Sequence, residues 1–210
     1  MHPSPRRRAW CAALVAAIAV AACSSGSSGK ATSTTTTPNA SVKVTPGLVS
    51  VASAGAPVQL SDADRNAVFA AVTDYVNAAT IAPLEGKQAP DLSTQLTTAA
   101  APALQGADRD ALVDTDVPRA TGRITATLQP VSLKGLADPS GAIPLVGSTL
   151  DLTVRTTTAK GPITIHRSGE LMFARDGNAW KITSFKLAVT REGAGIGAAA
   201  ATSSTTQAGS

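Results

Sequence analysis

The sequence predicts an α+β domain: a long N-terminal amphipathic helix and small helices packed on a curved antiparallel sheet of four to five strands. Three observations predict it. Apolar residues recur at helical spacing between residues 61 and 83, then switch to alternate spacing after residue 119. The alternating runs are joined by "ADPSG", "AKG" and "RDGN", short turn sequences that favour antiparallel neighbours. Within two of these runs the alternation slips phase, which a strand survives only through a bulge or bend.

The domain spans residues 59–192, long enough to bury roughly two-thirds of its unfolded surface without staples. It opens on Ser61 and Asp64, in capping-box spacing, and the helix they start runs to Pro83. Val68, Val72, Tyr75 and Ala79 form its stripe, flanked by Phe69 and Val76; Asn66, Thr73, Asp74 and Asn77 lie opposite. That is about six turns with one face for a core. Leu92, Leu96 and Ala99 mark a short helical piece broken by Pro102, and Ala107 to Val113 another, stopped by Pro118. The strand runs follow as "TGRITATLQPVSLKGL", "STLDLTVRTTT", "GPITIHRSGELMFAR" and "NAWKITSFKLAVTR". Ile124, Ala126 and Leu128 share one parity, whereas Val131 and Leu133 take the other; Trp180 and Ile182 slip in the same way against Phe185, Leu187 and Val189. Two bent strands predict a sheet that curls around the helix and leaves a concavity.

Residues 1–22 have the order of a secretory signal: Arg6, Arg7 and Arg8, then the apolar run "AWCAALVAAIAVAA" closed by small residues. The run is shorter than the roughly 20 residues a membrane span needs. Val20-Ala21-Ala22-Cys23 resembles the lipobox of bacterial lipoproteins. The resemblance implies cleavage before Cys23, a diacylglyceryl thioether on its sulfur, further acylation such as palmitate, and a place outside the cytoplasm at the outer face of the cell membrane. Arg7-Arg8-Ala9-Trp10 faintly resembles a twin-arginine signal; the general secretory route is preferred. Cys11 then lies in the removed peptide and Cys23 at the anchor, so no disulfide or thiolate site is expected. Residues 23–58 read as a Ser/Thr-rich tether too poor in large apolar residues to fold, with Thr34 to Thr37 open to O-linked sugar as in high-GC, actinobacterial-like linkers. Residues 193–210 read as a loose tail.

A capped helix, small helices, then bent strands ending in "GNAWKITSFKLAVTR" resemble the nuclear-transport-factor-2-like superfamily of cone-shaped α+β domains. Trp180-Lys181-Ile182 matches an aromatic-Lys-Ile pattern of the final strand there. The resemblance implies a cone whose mouth can hold a ligand, on a fold that hosts enzymes, transport factors and inert accessory domains alike.

Tyr75, Arg167 and Trp180 are the candidate pocket residues, and Asp151, Arg155 and His166 the candidate surface ones. Tyr75 faces inward, where one hydrogen-bond partner for its hydroxyl is the common outcome. Arg167 shares the inward parity of Ile163, Ile165, Leu171 and Phe173. Either Gly169 marks a bulge that turns Arg167 outward, the preferred reading, or its guanidinium sits at the cone mouth and takes a carboxylate or phosphate. His166 has the opposite parity and is read as solvated; Asp74 lies on the polar side of its helix. Asp151, Thr153 and Arg155 alternate with Leu150, Leu152 and Val154, giving a solvated face open to contacts. No nucleotide, phosphate, zinc-protease or nucleophile-elbow motif occurs, and neither metal nor cofactor is expected.

The full chain has 18 basic and 14 acidic residues, net +4; without Arg6, Arg7 and Arg8 the count is 15 against 14, or +1, which argues against nucleic acid as partner. Charge is lopsided within the domain, −6 over residues 61–118 and +5 over 119–192. The reading that follows is a tethered, non-catalytic module, monomeric or weakly dimeric, that holds an envelope protein or a small ligand. The alternatives are a small isomerase or hydrolase of the cone fold and a carrier of lipid or another hydrophobic ligand.

Overall fold

The computed structural model describes residues 40–88, 91–196 and 202–207, so residues 1–22 read as a signal, Cys23 and the first part of the segment read as a tether lie outside the described residues. It is α+β, with helices on a mixed sheet. Helix α1 runs Asp62–Val76, and Ser61 caps it by accepting the Asp64 N–H at 3.1 Å. Val68, Phe69, Val72, Tyr75 and Val76 are buried. The regular helix is shorter than the six turns expected, and its two sides contrast weakly: Ala63, Ala67 and Ala70 lie on the exposed side. Beyond Val76 the chain widens into a π-helical turn, Asn77–Ile81, and closes with α2, Ala82–Leu84.

Pro83 explains part of this. It has no N–H to return to the preceding turn. The carbonyl of Ala79, four residues earlier, instead accepts the amide of Asp114 at 2.9 Å. This bond brings the segment after α3 (Gly106–Leu112) into the core.

Among the described residues the sheet has seven strands: β1 Pro46–Ala52, β2 Thr125–Leu128, β3 Val131–Leu136, β4 Leu145–Thr158, β5 Gly161–Asp176, β6 Ala179–Glu192 and β7 Thr202–Gln207. Six follow the order β1-β3-β4-β5-β6-β7, while β2 pairs with β4 beside β3. The sheet is therefore larger than four to five strands, and it is not wholly antiparallel, because β1 runs parallel to β3.

Both ends depart from the sequence reading. Residues 46–52, read as tether, are β1, and Val42 ahead of them is buried. The Asn77 amide holds Val42 as a strand neighbour would, accepting its N–H and donating to its carbonyl, both at 2.8 Å. At the other end, read as a loose tail, Thr202–Gln207 forms β7 beside β6.

The two phase slips coincide with irregular pairing. Leu128 pairs with Leu152 and Leu133 with Ser148, so five steps along β2 and β3 are set against four along β4, and Gln129 and Pro130 absorb the difference. Between β5 and β6 the register shifts where Met172 faces Ser184 and Phe173 faces Ile182, leaving Thr183 as the extra residue. Each bulge keeps apolar residues on the covered face. That face carries Val146, Leu150, Leu152, Ile165, Leu171, Phe173, Ile182 and Leu187, all buried, and each such side chain contributes roughly 1.5–3 kcal/mol.

Candidate functional site

The polar heart of the molecule lies where the end of α1, the end of α3 and strands β5 and β6 converge. Arg167 is the largest fully buried side chain among the described residues. It faces inward, as its parity with Ile165 and Leu171 requires; the outward turn expected at Gly169 does not occur. Pairing with both neighbours runs unbroken through Gly169, which faces Leu150 on one side and Leu187 on the other. Glycine is needed there for another reason. Its φ is +141°, and a Cβ would lie 2.0 Å from the carbonyl oxygen of Lys186.

The Arg167 guanidinium donates from Nη2 to Asp114 Oδ2 at 2.8 Å, and from Nη1 to the Tyr75 hydroxyl at 3.0 Å and to the Ala111 carbonyl. The Tyr75 hydroxyl donates to the Leu112 carbonyl at 3.0 Å. Arg191 approaches Asp114 Oδ1 from Nε at 2.8 Å and from Nη2 at 2.7 Å, and Nη2 also donates to the Asp110 carbonyl at 2.9 Å. A helix end leaves its last carbonyls unsatisfied and negatively polarised. Here two guanidiniums and one phenol serve the end of α3, and Asp114 neutralises one of the two positive charges. The buried Arg167 Nε has no hydrogen-bond partner among the described residues.

Burial alone would push the Asp114 carboxyl up, but Arg167 and then Arg191 outweigh it and hold the group below the usual carboxylate range. Burial pushes the Tyr75 phenol up. The cluster therefore keeps an ionised Asp114 and a neutral Tyr75 near neutral pH. Tyr75, Asp114 and Arg167 are fully buried among the described residues, and Arg191 is nearly so.

Trp180 belongs to a separate cluster. Its indole N–H donates to Asp64 Oδ1 at 3.0 Å, Arg175 pairs with the same oxygen, and the Arg175 guanidinium stacks 4.9 Å from the indole centroid. The Trp180 bond, against some desolvation, leads the effects that hold the Asp64 carboxyl below its ordinary value. Asp64 and Arg175 border an open cleft of about 770 Å³ that also meets Val58, Ile143 and Pro144.

The candidate surface residues lie on the outer face. His166 Nε2 is 3.1 Å from Asp151 Oδ1, both half-exposed, and Arg155 is exposed between Thr125 and Thr164 on the neighbouring strands. Asp74 is exposed. Among the described residues no group of three or more His, Cys, Asp or Glu side chains is arranged to hold a metal ion.

Asp114 and Arg191 were not singled out from the sequence, although Arg191 carried a usable signal. It continues the parity of Phe185, Leu187 and Val189, so two arginines on adjacent strands point at the core and demand a buried acid. Asp114 supplies it from a segment with no periodicity of its own. The charge asymmetry has a partial explanation in the same contacts: Asp114 and Asp64 come from the acidic half, and Arg167, Arg191 and Arg175 from the basic half.

Comparison of the chain with protein-family models, with curated proteins and with solved structures found no match.

Proposed function

We propose that this chain is an exported lipoprotein held at the outer face of the cytoplasmic membrane by a lipid on Cys23, and that its domain is a non-catalytic binding module of the cone-shaped kind. One observation carries the reading of the domain. The inward-facing polar groups that an enzyme of such a fold would present to a substrate, Tyr75 and Arg167, are fully buried and spent on one another, on Asp114 and on the end of α3. A network of this kind orders a core; a general acid or base must reach substrate. What remains for recognition is the outer surface, including the Asp151–His166 pair and Arg155. The signal order and Val20-Ala21-Ala22-Cys23 support the location. The tether this reading needs is at most Ser24 to Asn39, because Val42 is already part of the domain.

Two measurements test it. The full chain and Cys23→Ala are produced in an export-competent bacterium fed an alkyne-bearing palmitate; the wild type should be labelled and membrane-bound, and the variant unlabelled. An unlabelled wild type in the cytosol overturns the anchor. A photo-cross-linker in place of His166 should capture an envelope protein, and Tyr75→Phe should leave the cellular phenotype intact. Loss of that phenotype in a Tyr75→Phe protein of normal stability overturns the non-catalytic reading.

A further inference from the structure

An open slot of about 500 Å³ separates residues 40–43 from residues 123–128, which include β2. The topology explains it. Strands β2 and β3 lie one after the other along the same edge of β4, and β1 covers the far edge of β3. Upstream of Thr45, whose carbonyl still accepts the Val131 amide, the chain leaves the sheet: Val42 is held by Asn77, and the Ala40 amide donates to Glu85. The position that β1 fills beside β3 is thus left unfilled beside β2. Strand β2 pairs with β4 along one edge and has no strand beside the other among the described residues.

An unpaired strand edge is a template for another strand, and main-chain bonds along it give affinity while alternate side chains give specificity. The walls say which side chains fit. Ile124 and Val42 are buried at the floor, and Ala126 and Leu128 follow at the same parity, half-buried. On the outer side stand Lys43 and Arg123, with Arg155 across from Thr125 on β4. All three cations are exposed, and none has an ion-pair partner among the described residues. Asp151, an acid on the same face of β4, is already paired with His166.

We infer that this slot is a peptide-binding site, taking an extended segment of a partner protein as an added strand beside β2, with acidic side chains outward and small apolar ones inward. The inference rests on the binding-module reading and gives that module a site. A strand matching β2 spans roughly 13 Å.

The test uses the purified full chain and a fluorescent peptide of alternating glutamate and valine. Controls are the lysine–valine peptide and a glutamate–valine peptide N-methylated on its backbone. The acidic peptide should bind and slow amide exchange at residues 41–44 and 125–128. The lysine peptide should bind about tenfold more weakly, and Lys43→Glu with Arg123→Glu should reverse the preference. Both substituted side chains are exposed, and an unchanged melting curve confirms that the variant is folded. Absence of binding, equal binding of the three peptides, or protection confined to another region overturns the slot. If the cross-linker at His166 still captures a partner in that case, the binding-module reading stands without this site; if it captures none, both fall.

Discussion

Arg167 and Asp114, 53 residues apart in the chain, meet at 2.8 Å with neither side chain exposed to solvent. The pair joins β5 to the segment after α3, and Arg191 ties β6 to the same carboxylate. Removing one member of a buried ion pair strands the other. Asp114→Ala leaves two guanidiniums facing each other and should cost about 3–5 kcal/mol in urea unfolding. Arg167→Met should cost less, since Asp114 keeps Arg191. His166→Ala, which breaks a half-exposed pair, should leave the midpoint unmoved. A reversed order between the first two variants would show that Asp114 is not the hub.

The same carboxylate sets the acid side of the stability profile. Its folded pKa lies below its unfolded value, despite burial, because Arg167 and Arg191 favour the charge. The stabilisation is therefore fully present above about pH 4 and is lost as pH falls further, through the folded pKa. Wild-type stability should drop steeply below pH 4, and Asp114→Asn should flatten that drop while lowering stability at pH 7. Tyr75 governs the alkaline side with the opposite sign: its pKa is raised by burial, so stability should fall as pH climbs above about 10. Urea midpoints across pH check both limbs, and Tyr75→Phe should soften the second.

Two glycines on β5 and its turn should respond very differently to alanine. At Gly169 the added carbon meets the Lys186 carbonyl oxygen at 2.0 Å and φ is +141°, so Gly169→Ala should exceed the roughly 1–3 kcal/mol of backbone strain alone and yield little folded protein. Gly177 also has positive φ, +62°, but open space around it. Gly177→Ala should cost only about 1–2 kcal/mol. Soluble yield and thermal midpoint separate them.

Asn77→Ala removes both bonds to Val42 and a third to the Thr73 carbonyl. The expected loss is about 1–3 kcal/mol. Amide exchange at Val42 should rise sharply while exchange in β5 stays slow. Asn77→Asp, which keeps the acceptor and loses the donor, should fall between the two.

What could be read from the residues was whatever depends on neighbours in sequence. The change from helical to alternate spacing after residue 119 and the phase slips at Pro130 and near Thr183 are local patterns, and they mark real features of the fold. β1 is not legible locally because its partner β3 lies far along the chain, and because most of its side chains are exposed and show little alternation. The tail strand is hidden on similar grounds, its residues being Thr, Ser and Gln with no apolar set to count. Arg167 stands out by its inward parity, and a glycine two residues on offers a local remedy, a bulge, where the structure uses a distant partner. Parity identified the face correctly, but finding Asp114 requires knowing that Pro83 leaves the Ala79 carbonyl for it.

The clasp at Asn77 also decides how the molecule takes a load. A pull on the chain ahead of residue 40 meets the Ala40–Glu85 bond first, then the two Val42 bonds, and only afterwards the ladder between β1 and β3. Bonds in series yield one at a time, so small forces are spent on this edge before β4, β5 and β6 feel them. The first residues of the domain act as a strain relief, yielding while the buried Arg167–Asp114–Arg191 joint stays closed.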